Sequence, residues 1–395
     1  MSLIDRTIEN VFRSLADQYP VVTLTGPRQS GKTTLCQKVF PDKPYANLEA
    51  PDTRQFAIDD PRGFLDQHSE GAIFDEIQRA PGLVSYLQPL VDADQREGRF
   101  ILTGSQQFEV SNTINQSLAG RTALVTLLPF SIQEIQSAYA MPAIDFLLYH
   151  GFFPRLWHKG LDPTQALGDY FETHIERDLR QLVAIKDLHV FQRFIKLCAG
   201  RIGQLLNANS LANDTGISHT TARNWLSVLE ASYTIFLLQP YHRNIGKRLV
   251  KSPKLYFYDV GLAAFLLGIE NEKQVSRDPL RGNLFENLII TEALKHRFNQ
   301  GKKNNLYFYR DSKGNEIDLL LVSGNDIFPI EIKSGMTVTG DYFKGLKHFA
   351  KIFSDHIPRG SGLVYGGDSP QKRSDVSIFP VEQLPSLFDL ANGHG

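Results

Sequence analysis

The stretch that decides the fold of the N-terminal third reads Gly26-Pro27-Arg28-Gln29-Ser30-Gly31-Lys32-Thr33-Thr34. From Gly26 to Thr33 it matches the pattern G-x-x-x-x-G-K-[ST], in which glycines let backbone N–H groups turn inward around phosphates. The apolar run Val21–Thr25 precedes the loop and predicts a buried strand, and a helix is predicted to follow. Because a helix N-terminus favours anions, we expect the whole stretch to bind the phosphates of ATP.

Further residues supply the chemistry that ATP hydrolysis requires. Lys32 is expected to reach the β- and γ-phosphates, and the hydroxyl of Thr33 to ligate Mg²⁺. Asp75 and Glu76 end the apolar run Ile73-Phe74-Asp75-Glu76. A carboxylate such as Asp75 can hold Mg²⁺ through water, and its neighbour can polarise the attacking water. We therefore predict Mg²⁺-dependent ATP hydrolysis, with Lys32 and Glu76 in catalytic roles.

Short apolar runs bounded by turn or charged residues recur through residues 1–135 and alternate with helical stretches. The runs are Val21–Thr25, Gly71–Asp75, Arg99–Thr103 and Ala123–Leu128. This alternation is typical of β-α repeats around a parallel sheet. We therefore predict an α/β fold with a P-loop ATPase core over residues 1–135.

The composition excludes several classes of protein. The chain has 395 residues, with 42 Lys and Arg against 43 Asp and Glu, which excludes an overall basic protein but allows local basic patches. No run of eighteen apolar residues without a charge occurs, so no membrane span is predicted. The two cysteines lack metal-ligand spacing, and the N-terminus lacks the apolar core of a signal peptide. We expect a cytoplasmic protein of two or three domains, with neither structural zinc nor disulfides.

Several motifs follow the P-loop in a fixed order. They are Asp75-Glu76-Ile77-Gln78, Leu102-Thr103-Gly104-Ser105, Ser117-Leu118-Ala119-Gly120-Arg121, and Pro129-Phe130-Ser131 with Glu134. With these motifs the chain resembles the prokaryotic AAA+ ATPase family that has a C-terminal domain of uncharacterised function, over nearly its whole length. The resemblance implies that the polar group of Ser105, or that of Thr103, is the catalytic sensor at the end of a central strand.

The same resemblance implies that Arg121 is an arginine finger that contacts the ATP of a neighbouring subunit. The chain would then form a homo-oligomer, for which a hexamer is one candidate. The alternative for Arg121 is a surface arginine at the edge of a strand. Gly151-Phe152-Phe153-Pro154-Arg155 resembles a Gly-Gly-aromatic-Pro element of the family's lid, with Phe152 in place of the second glycine.

A helix-turn-helix is predicted in the middle region, residues 136–275. The segment Leu211–Ser218 ends at a glycine-containing turn, and the segment from His219 continues with apolar positions at helical spacing. Two strand-like runs then bracket a basic segment, a layout typical of a winged helix, which contacts DNA through its second helix and its wing. The candidate DNA contacts are Thr220, Thr221 and Arg223 on the helix and Arg243, Lys247, Arg248 and Lys251 on the wing. The alternative is a lid or a protein-docking module.

The C-terminal region, residues 276–395, contains acids and a lysine at suggestive positions. Glu286 lies near the start of a predicted helix, Asp318 enters a strand, and Glu331 and Lys333 end the next strand. This series resembles the PD-(D/E)xK nuclease core and implies a restriction-endonuclease-like α/β domain. In such a core, Asp318 and Glu331 would share a divalent metal, with Lys333 steadying charge or orienting water and Glu286 assisting. The alternative is that these side chains only support the fold.

Three functions are compatible with these motifs. The preferred function is an oligomeric AAA+ ATPase that couples ATP turnover to binding or processing DNA. The second is an ATP-driven switch that docks or remodels proteins, with an inactive nuclease-like domain. The third is a nuclease that uses ATP only as a regulator, and it requires DNA cleavage to persist in a Lys32→Ala variant.

Overall fold

The computed structural model describes residues 3–94, 96–105, 117–175, 187–241, 251–373 and 375–393. Within these ranges the chain forms a five-stranded sheet in the N-terminal region and an eight-stranded sheet in the rest of the chain. Among the helices of these ranges, none has both the length and the apolar character needed to cross a membrane.

The N-terminal sheet is built from β1 (Val21–Thr25), β2 (Tyr45–Asn47), β3 (Ala72–Asp75), β4 (Phe100–Gly104) and β5 (Thr122–Thr126). The strands are parallel and lie in the order β2-β3-β4-β1-β5. Every residue of β1, β3 and β4 is buried. Burial on both faces explains why these strands are continuous apolar runs in the sequence, and the predicted parallel sheet is confirmed.

Helices cover both faces of this sheet. They are α1 (Glu9–Ala16), α2 (Lys32–Val39), α3 (Pro51–Asp59), α4 (Pro61–Asp66) and α5 (Leu83–Ala93). Successive side chains of a strand point to opposite faces. Phe100 and Leu102 of β4 accordingly pack with Phe74 in one hydrophobic cluster, while Ile101 packs with Ile73 in another. The sheet therefore lies between two hydrophobic layers.

The carboxyl ends of β1, β3 and β4 meet at one edge of the N-terminal sheet. β4 lies between the other two strands, with Thr25 opposite Gly104 and Phe74 opposite Leu102. The P-loop leaves β1 at this edge, and Asp75 ends β3 there. Ligands of open parallel sheets bind at the carboxyl ends of the strands. The fold thus brings the predicted phosphate and metal residues to one place.

Up to residue 231, the described part of the middle region is mostly helical. Its helices are α6 (Ile132–Gln136), α7 (Ile144–His150), α8 (Pro154–Lys159), α9 (Pro163–Tyr170), α10 (Leu188–Ala199), α11 (Ala208–Thr215) and α12 (His219–Ala231). α11 and α12 form the predicted helix-turn-helix: the Ser218 side chain caps α12, and Gly216 ends α11 in the left-handed conformation, with a φ of 79°. Trp225 of α12 packs edge-on against Phe191 and Phe194 of α10, with ring centroids 5.0 and 5.2 Å apart.

The second sheet crosses the predicted boundary between residues 275 and 276. Its strands are β6 (Ile235–Pro240), β7 (Lys254–Phe257), β8 (Leu306–Arg310), β9 (Glu316–Ser323), β10 (Asp326–Lys333), β11 (Ser361–Tyr365), β12 (Gln371–Arg373) and β13 (Val376–Pro380). They lie in the order β12-β13-β11-β10-β9-β8-β6-β7. The antiparallel hairpin β6–β7 joins the C-terminal strands through two parallel pairs, Gln239 with Tyr307 and Pro240 with Phe308. The other predicted boundary, at residues 135 and 136, falls inside α6.

A long buried helix connects the regions. The other α-helices of the described residues are α13 (Val260–Leu266), α14 (Glu272–Val275), α15 (Arg281–Asn299), α16 (Lys344–Phe353) and α17 (Leu384–Asn392). α15 contacts β5 of the first sheet and both β7 and β10 of the second. Its Asn287 is fully buried and bonds both backbone groups of Phe257 in β7, with distances of 2.7 and 3.0 Å. α15 therefore joins the β6–β7 hairpin to both sheets through packing and the hydrogen bonds of Asn287.

Candidate functional site

Two glycines give the P-loop its shape. Gly26 has a φ of 147°, and Gly31, which precedes α2, has a φ of 93°. A side chain at Gly26 would place its Cβ 2.0 Å from the carbonyl oxygen of Leu127, so only glycine fits there. A loop of this kind, leading into a helix, presents backbone N–H groups to an anion. The residues therefore fit the phosphates of a nucleotide.

Lys32 is the first residue of α2, and it is only 6% exposed. Its Nζ donates to the carbonyl oxygens of Gly26 and Pro27, each at 2.9 Å. Burial lowers the pKa of Lys32, although the carboxylates of Glu76 and Asp75 act in the opposite direction. A buried ammonium that is bonded to neutral carbonyls gains from an anionic partner, so Lys32 is placed as the phosphate pattern requires.

Asp75 ends β3 and is held by three hydroxyl groups. Its Oδ2 accepts hydrogen bonds from Thr33 Oγ1 at 2.9 Å and from the Tyr45 hydroxyl at 2.6 Å, and its Oδ1 accepts one from Thr103. The structure thus brings the two predicted metal residues, Thr33 and Asp75, into contact, and oxygen ligands of this kind suit Mg²⁺. Sequence reasoning missed Tyr45, because it reaches Asp75 only through the pairing of β2 with β3.

Glu76 turns out of the strand in the left-handed conformation, with a φ of 57°. This conformation is unfavourable for a residue with a side chain, and such strain often occurs at functional sites. The N–H of Glu76 donates to Thr103 Oγ1 at 3.2 Å, and its Oε2 accepts from Ser105 Oγ at 2.9 Å and from the amide of Gln78. Both sensor candidates therefore lie beside the two acidic residues. Ser105 contacts Glu76, and Thr103 contacts both Glu76 and Asp75.

The other loop residues are tied to their surroundings. Arg28 Nη1 lies 3.4 Å from Glu49 Oε1. Gln29 adopts a positive φ of 60°, and Thr34 lies in the first turn of α2. Ser30 is fully buried, and its hydroxyl has no hydrogen-bond partner among the described residues. A buried polar atom of this kind inside a phosphate loop is explained if a ligand supplies its partner.

Arg6 is a positioning residue that the sequence did not reveal. It is 8% exposed, and its guanidinium donates to the carbonyl oxygens of Ser30 at 2.8 Å and Leu128 at 2.6 Å and to Glu134 Oε1 at 3.1 Å. Glu134 in turn belongs to the capping box of α6. Arg6 thus joins the P-loop to the start of the helical region. No sequence signal marks it, because its partners lie far along the chain.

A pocket of about 70 Å³ adjoins the first turn of α2. Among the residues that line it are Ile4, Gly31, Thr34, Leu35, Phe130 and Pro154. Arg6, Glu9, Lys38 and His158 also line it, so the pocket combines apolar walls with charged groups next to the phosphate loop. Pro154 belongs to the Gly151–Arg155 element, whose Arg155 is exposed. The Gly151–Arg155 element therefore adjoins the candidate nucleotide site through Pro154.

Phe152, which stands where the resemblance predicts a second glycine, packs against α15. Its ring is buried, and Lys295 Nζ lies 3.9 Å from the ring centroid. Lys295 also donates to the Phe130 carbonyl oxygen at 2.7 Å and to Glu292 at 2.7 Å. A cation–π contact within a satisfied buried ion pair is stabilising. Phe152, which replaces the second glycine of the family pattern, thus packs against Lys295 in this chain.

Arg121 lies at the other edge of the N-terminal sheet from the P-loop. It precedes Thr122, which pairs with Val21 at the start of β1. The length of β1, about 15 Å, therefore separates Arg121 from the P-loop of its own chain. The guanidinium is about one-third exposed and bonds Asp92, with Nη2 to Oδ2 at 2.9 Å. Arg121 therefore does not reach the P-loop of its own chain.

The predicted DNA contacts are only partly within the described residues. Thr220 and Arg223 are exposed on α12, while Thr221 is partly buried and its N–H donates to the capping hydroxyl of Ser218 at 3.0 Å. Lys251 is exposed and lines, together with Arg223, a groove of about 870 Å³ between α12 and the hairpin. The remaining wing candidates, Arg243, Lys247 and Arg248, lie outside the described residues.

Tyr233 connects the helix-turn-helix to the candidate nucleotide site. It follows α12, has a positive φ of 56° and is only 4% exposed. Its hydroxyl donates to Thr25 Oγ1 at 2.8 Å. Thr25 is the last residue of β1 and directly precedes Gly26. A strained, buried tyrosine therefore bonds the strand from which the P-loop leaves, a contact that no sequence pattern predicts.

The C-terminal acids come together as the sequence predicts. Lys333 Nζ lies 3.1 Å from Asp318 Oδ2 and 3.4 Å from Glu331 Oε1, so an ammonium bridges the two carboxylates that were expected to share a metal. Burial raises the pKa of Glu331 to about 8, and the carboxylate of Asp318 adds to the rise. Among the residues that the structure describes, no three His, Cys, Asp or Glu side chains are arranged to hold a metal ion.

Glu286 joins this group through a second lysine that the sequence analysis missed. Lys254 Nζ lies 2.9 Å from Glu286 Oε1 and 2.5 Å from Glu316 Oε1. Although burial alone would lower the pKa of Lys254, the carboxylates of Glu286, Asp318 and Glu316 raise it overall. Tyr256 also donates to Glu286. The acids Glu286, Glu316, Asp318 and Glu331 are called the carboxylate cluster below.

Comparisons with known proteins divide the chain into matched segments. Residues 18–136 match an AAA domain. Residues 141–273 and 281–384 match two domains of unknown function, DUF8612 and DUF4143. Uncharacterized proteins of Mycobacterium bovis and Mycobacterium tuberculosis are each 33% identical over 371 residues, which cover 92% of this chain and 81% of each relative. A Walker-type ATPase of Pyrococcus abyssi aligns over 67% of this chain and 96% of its own, at 16% identity and a TM-score of 0.44, which is too low to carry an argument.

Proposed function

This chain belongs to the same family as the two uncharacterized mycobacterial proteins and carries an AAA domain, and from that premise we propose that it hydrolyses ATP with Mg²⁺. One observation carries the proposal: Thr33, the neighbour of Lys32 in the P-loop, contacts Asp75, which directly precedes Glu76 at the end of β3. Each of these groups has a partner that sets its position. An ordinary glycine-rich turn would not require this convergence.

Each residue would have a distinct part in the reaction. The loop N–H groups and Lys32 would bind the phosphates, and Thr33 and Asp75 would hold Mg²⁺. When bound, Mg²⁺ would neutralise the charge that develops on the phosphate oxygens. Glu76 would orient the attacking water and take up its proton, while Ser105 holds the carboxylate at 2.9 Å. The pocket beside α2 would take the adenine base.

An oligomeric assembly is part of the proposal. Arg121 is too far from its own P-loop to stabilise the charge on its own ATP, but it is partly exposed at the opposite edge of the sheet. An arginine supplied from a neighbouring subunit is a common means of stabilising the transition state of phosphoryl transfer. We therefore propose that Arg121 acts on the ATP of the next subunit in a homo-oligomer, for which a hexamer is one candidate.

DNA is the proposed partner of the middle region. Support comes from the helix-turn-helix formed by α11 and α12, with the cations Arg223 and Lys251 beside one groove. Together with the hairpin it would form a winged helix, in which α12 lies in the major groove. The hydrogen bond of Tyr233 to Thr25 offers a route by which nucleotide binding would alter the position of α12. ATP turnover would then be coupled to binding or processing DNA.

The C-terminal region has two proposed roles, and each is favoured by an observation. The convergence of Asp318, Glu331 and Lys333 favours a restriction-endonuclease-like domain with metal-dependent nuclease activity. The neutralisation of the same acids by Lys254 and Lys333 favours the second candidate function. In that function the nuclease-like domain is inactive, and the protein is an ATP-driven switch that docks or remodels other proteins.

ATP turnover measured against DNA concentration tests the proposal and separates the two functions. We expect duplex DNA to bind and to raise turnover, with an affinity that falls steeply as salt rises. Lys251→Ala should flatten the slope of log affinity against log salt by about one unit. Lys313→Ala, an exposed lysine in the C-terminal region, is the matched control and should leave the slope unchanged. Turnover without any DNA affinity would contradict the DNA partner and favour the protein-docking switch.

A further inference from the structure

Lys254 enters the carboxylate cluster from a different part of the fold than the acids. It is the first residue of β7, in the hairpin that follows the helix-turn-helix, whereas the acids lie on α15, β9 and β10. Its backbone is held on both sides, by Leu238 of β6 and by a bridge to Leu205. Its side chain is only 4% exposed. The hairpin thus inserts a buried cation among the acids.

The position of the ammonium is one that a metal ion would take. Lys254 Nζ lies 2.9 Å from Glu286 and 2.5 Å from Glu316, and divalent cations bind between carboxylate oxygens of this kind. Glu316 and Asp318 are two residues apart on β9, so their side chains project from the same face of the sheet. A lysine and a divalent cation at the same carboxylates would repel each other strongly in a buried site. Only one of them can occupy it at a time.

Glu331 indicates that the cluster has a ligand in another state. This residue is 7% exposed, and its Oε2 is buried with no hydrogen-bond partner among the described residues. Its other oxygen lies 3.4 Å from Lys333. A buried carboxylate oxygen without a partner is costly, and a cation bound beside Asp318 would provide one.

We propose that Lys254 is a built-in counter-ion that occupies the carboxylate cluster, so that no divalent cation binds there while the lysine is in place. This inference rests on the proposed nuclease-like assignment of the cluster and does not depend on ATP hydrolysis.

Calorimetric titration of the nucleotide-free full chain with Mn²⁺ tests this proposal. Methionine in a Lys254→Met variant keeps the length of the side chain and removes its charge. We expect the variant to gain one Mn²⁺ site that is at least about tenfold tighter than any C-terminal site of the wild type. Adding Asp318→Asn to Lys254→Met should abolish that site, which separates it from binding at the P-loop.

Matched variants control for charge and for folding. Lys273→Met removes an exposed lysine of α14 that lies outside the cluster and should bind Mn²⁺ as the wild type does. Lys254→Arg keeps the positive charge and should leave the site closed. If Lys254→Met does not fold, Lys254→Gln removes the charge but can still donate a hydrogen bond to Glu286, and it should bind Mn²⁺ more tightly than the wild type.

Two results would contradict the counter-ion role of Lys254, and they differ in what they imply for the nuclease-like assignment. Equal Mn²⁺ affinity at the Asp318-dependent site in the wild type and in Lys254→Met would overturn the counter-ion role and leave the nuclease-like assignment standing. Folded Lys254→Met protein that gains no Asp318-dependent site would overturn both the inference and that assignment.

Discussion

Replacing Arg6 with methionine should loosen the P-loop and destabilise the N-terminal region. The change removes bonds to the Ser30 and Leu128 carbonyl oxygens and to Glu134, whose side chain is 1% exposed. Breaking a buried ion pair from one side costs about 3–5 kcal/mol. Glu134 keeps two backbone donors, the N–H groups of Thr7 and Ser131, so we expect about 3 kcal/mol. The dissociation constant for ATP should also rise, because Ser30 is no longer held in the loop.

Urea unfolding followed by circular dichroism, with ATP affinity measured in parallel, checks this expectation. The matched control is Arg13→Met, which changes an exposed arginine in the last turn of α1 and should cost within about 0.5 kcal/mol. A loss of less than about 1 kcal/mol for Arg6→Met, or unchanged ATP affinity, would refute the role assigned to Arg6.

Three further predictions concern other parts of the molecule. Burial raises the pKa of Glu230 from 4.5 to about 7, so its contribution to stability is full below pH 4.5 and is lost as the pH rises to 7. The free energy of unfolding should be measured at pH 4 and at pH 8. Glu230→Gln should be more stable than the wild type at pH 8, by at most about 3 kcal/mol, and no more stable at pH 4. Mixing Arg121→Ala subunits with Lys32→Ala subunits should restore part of the ATP turnover that each lacks alone, and a mixture without turnover would contradict action between subunits. Tyr233→Phe keeps the ring but loses the hydrogen bond to Thr25, so DNA should stimulate turnover less, by a factor of about five, with DNA affinity unchanged; full stimulation would exclude this coupling route.

The N-terminal site could be predicted in detail because its residues follow a local pattern. A loop between a buried strand and a helix constrains the backbone strongly, so the glycines, Lys32 and Thr33 were identifiable from spacing alone. Asp75 and Glu76 were predictable because a run of apolar residues ended in two acids. The structure places all of them at one edge of a parallel sheet.

The missed residues act through contacts between distant parts of the chain. Arg6 reaches the site from the segment before α1, Tyr45 from β2, and Tyr233 from the end of α12. Lys254 meets Glu286 and Glu316 only because the hairpin joins the C-terminal sheet. A single sequence contains no periodicity or spacing that reports such pairings. The same cause explains why the predicted boundary at residue 275 cuts across a sheet.

Comparing ATP binding with ATP turnover in Glu76→Gln and Lys32→Ala tests whether this site hydrolyses ATP as proposed. We expect Glu76→Gln to bind ATP as tightly as the wild type but to hydrolyse it about 10²–10⁴ times more slowly, because the variant loses only the group that activates water. Lys32→Ala should lose ATP binding itself. Turnover of Glu76→Gln at the wild-type rate, or an equal loss of ATP binding in both variants, would contradict the account.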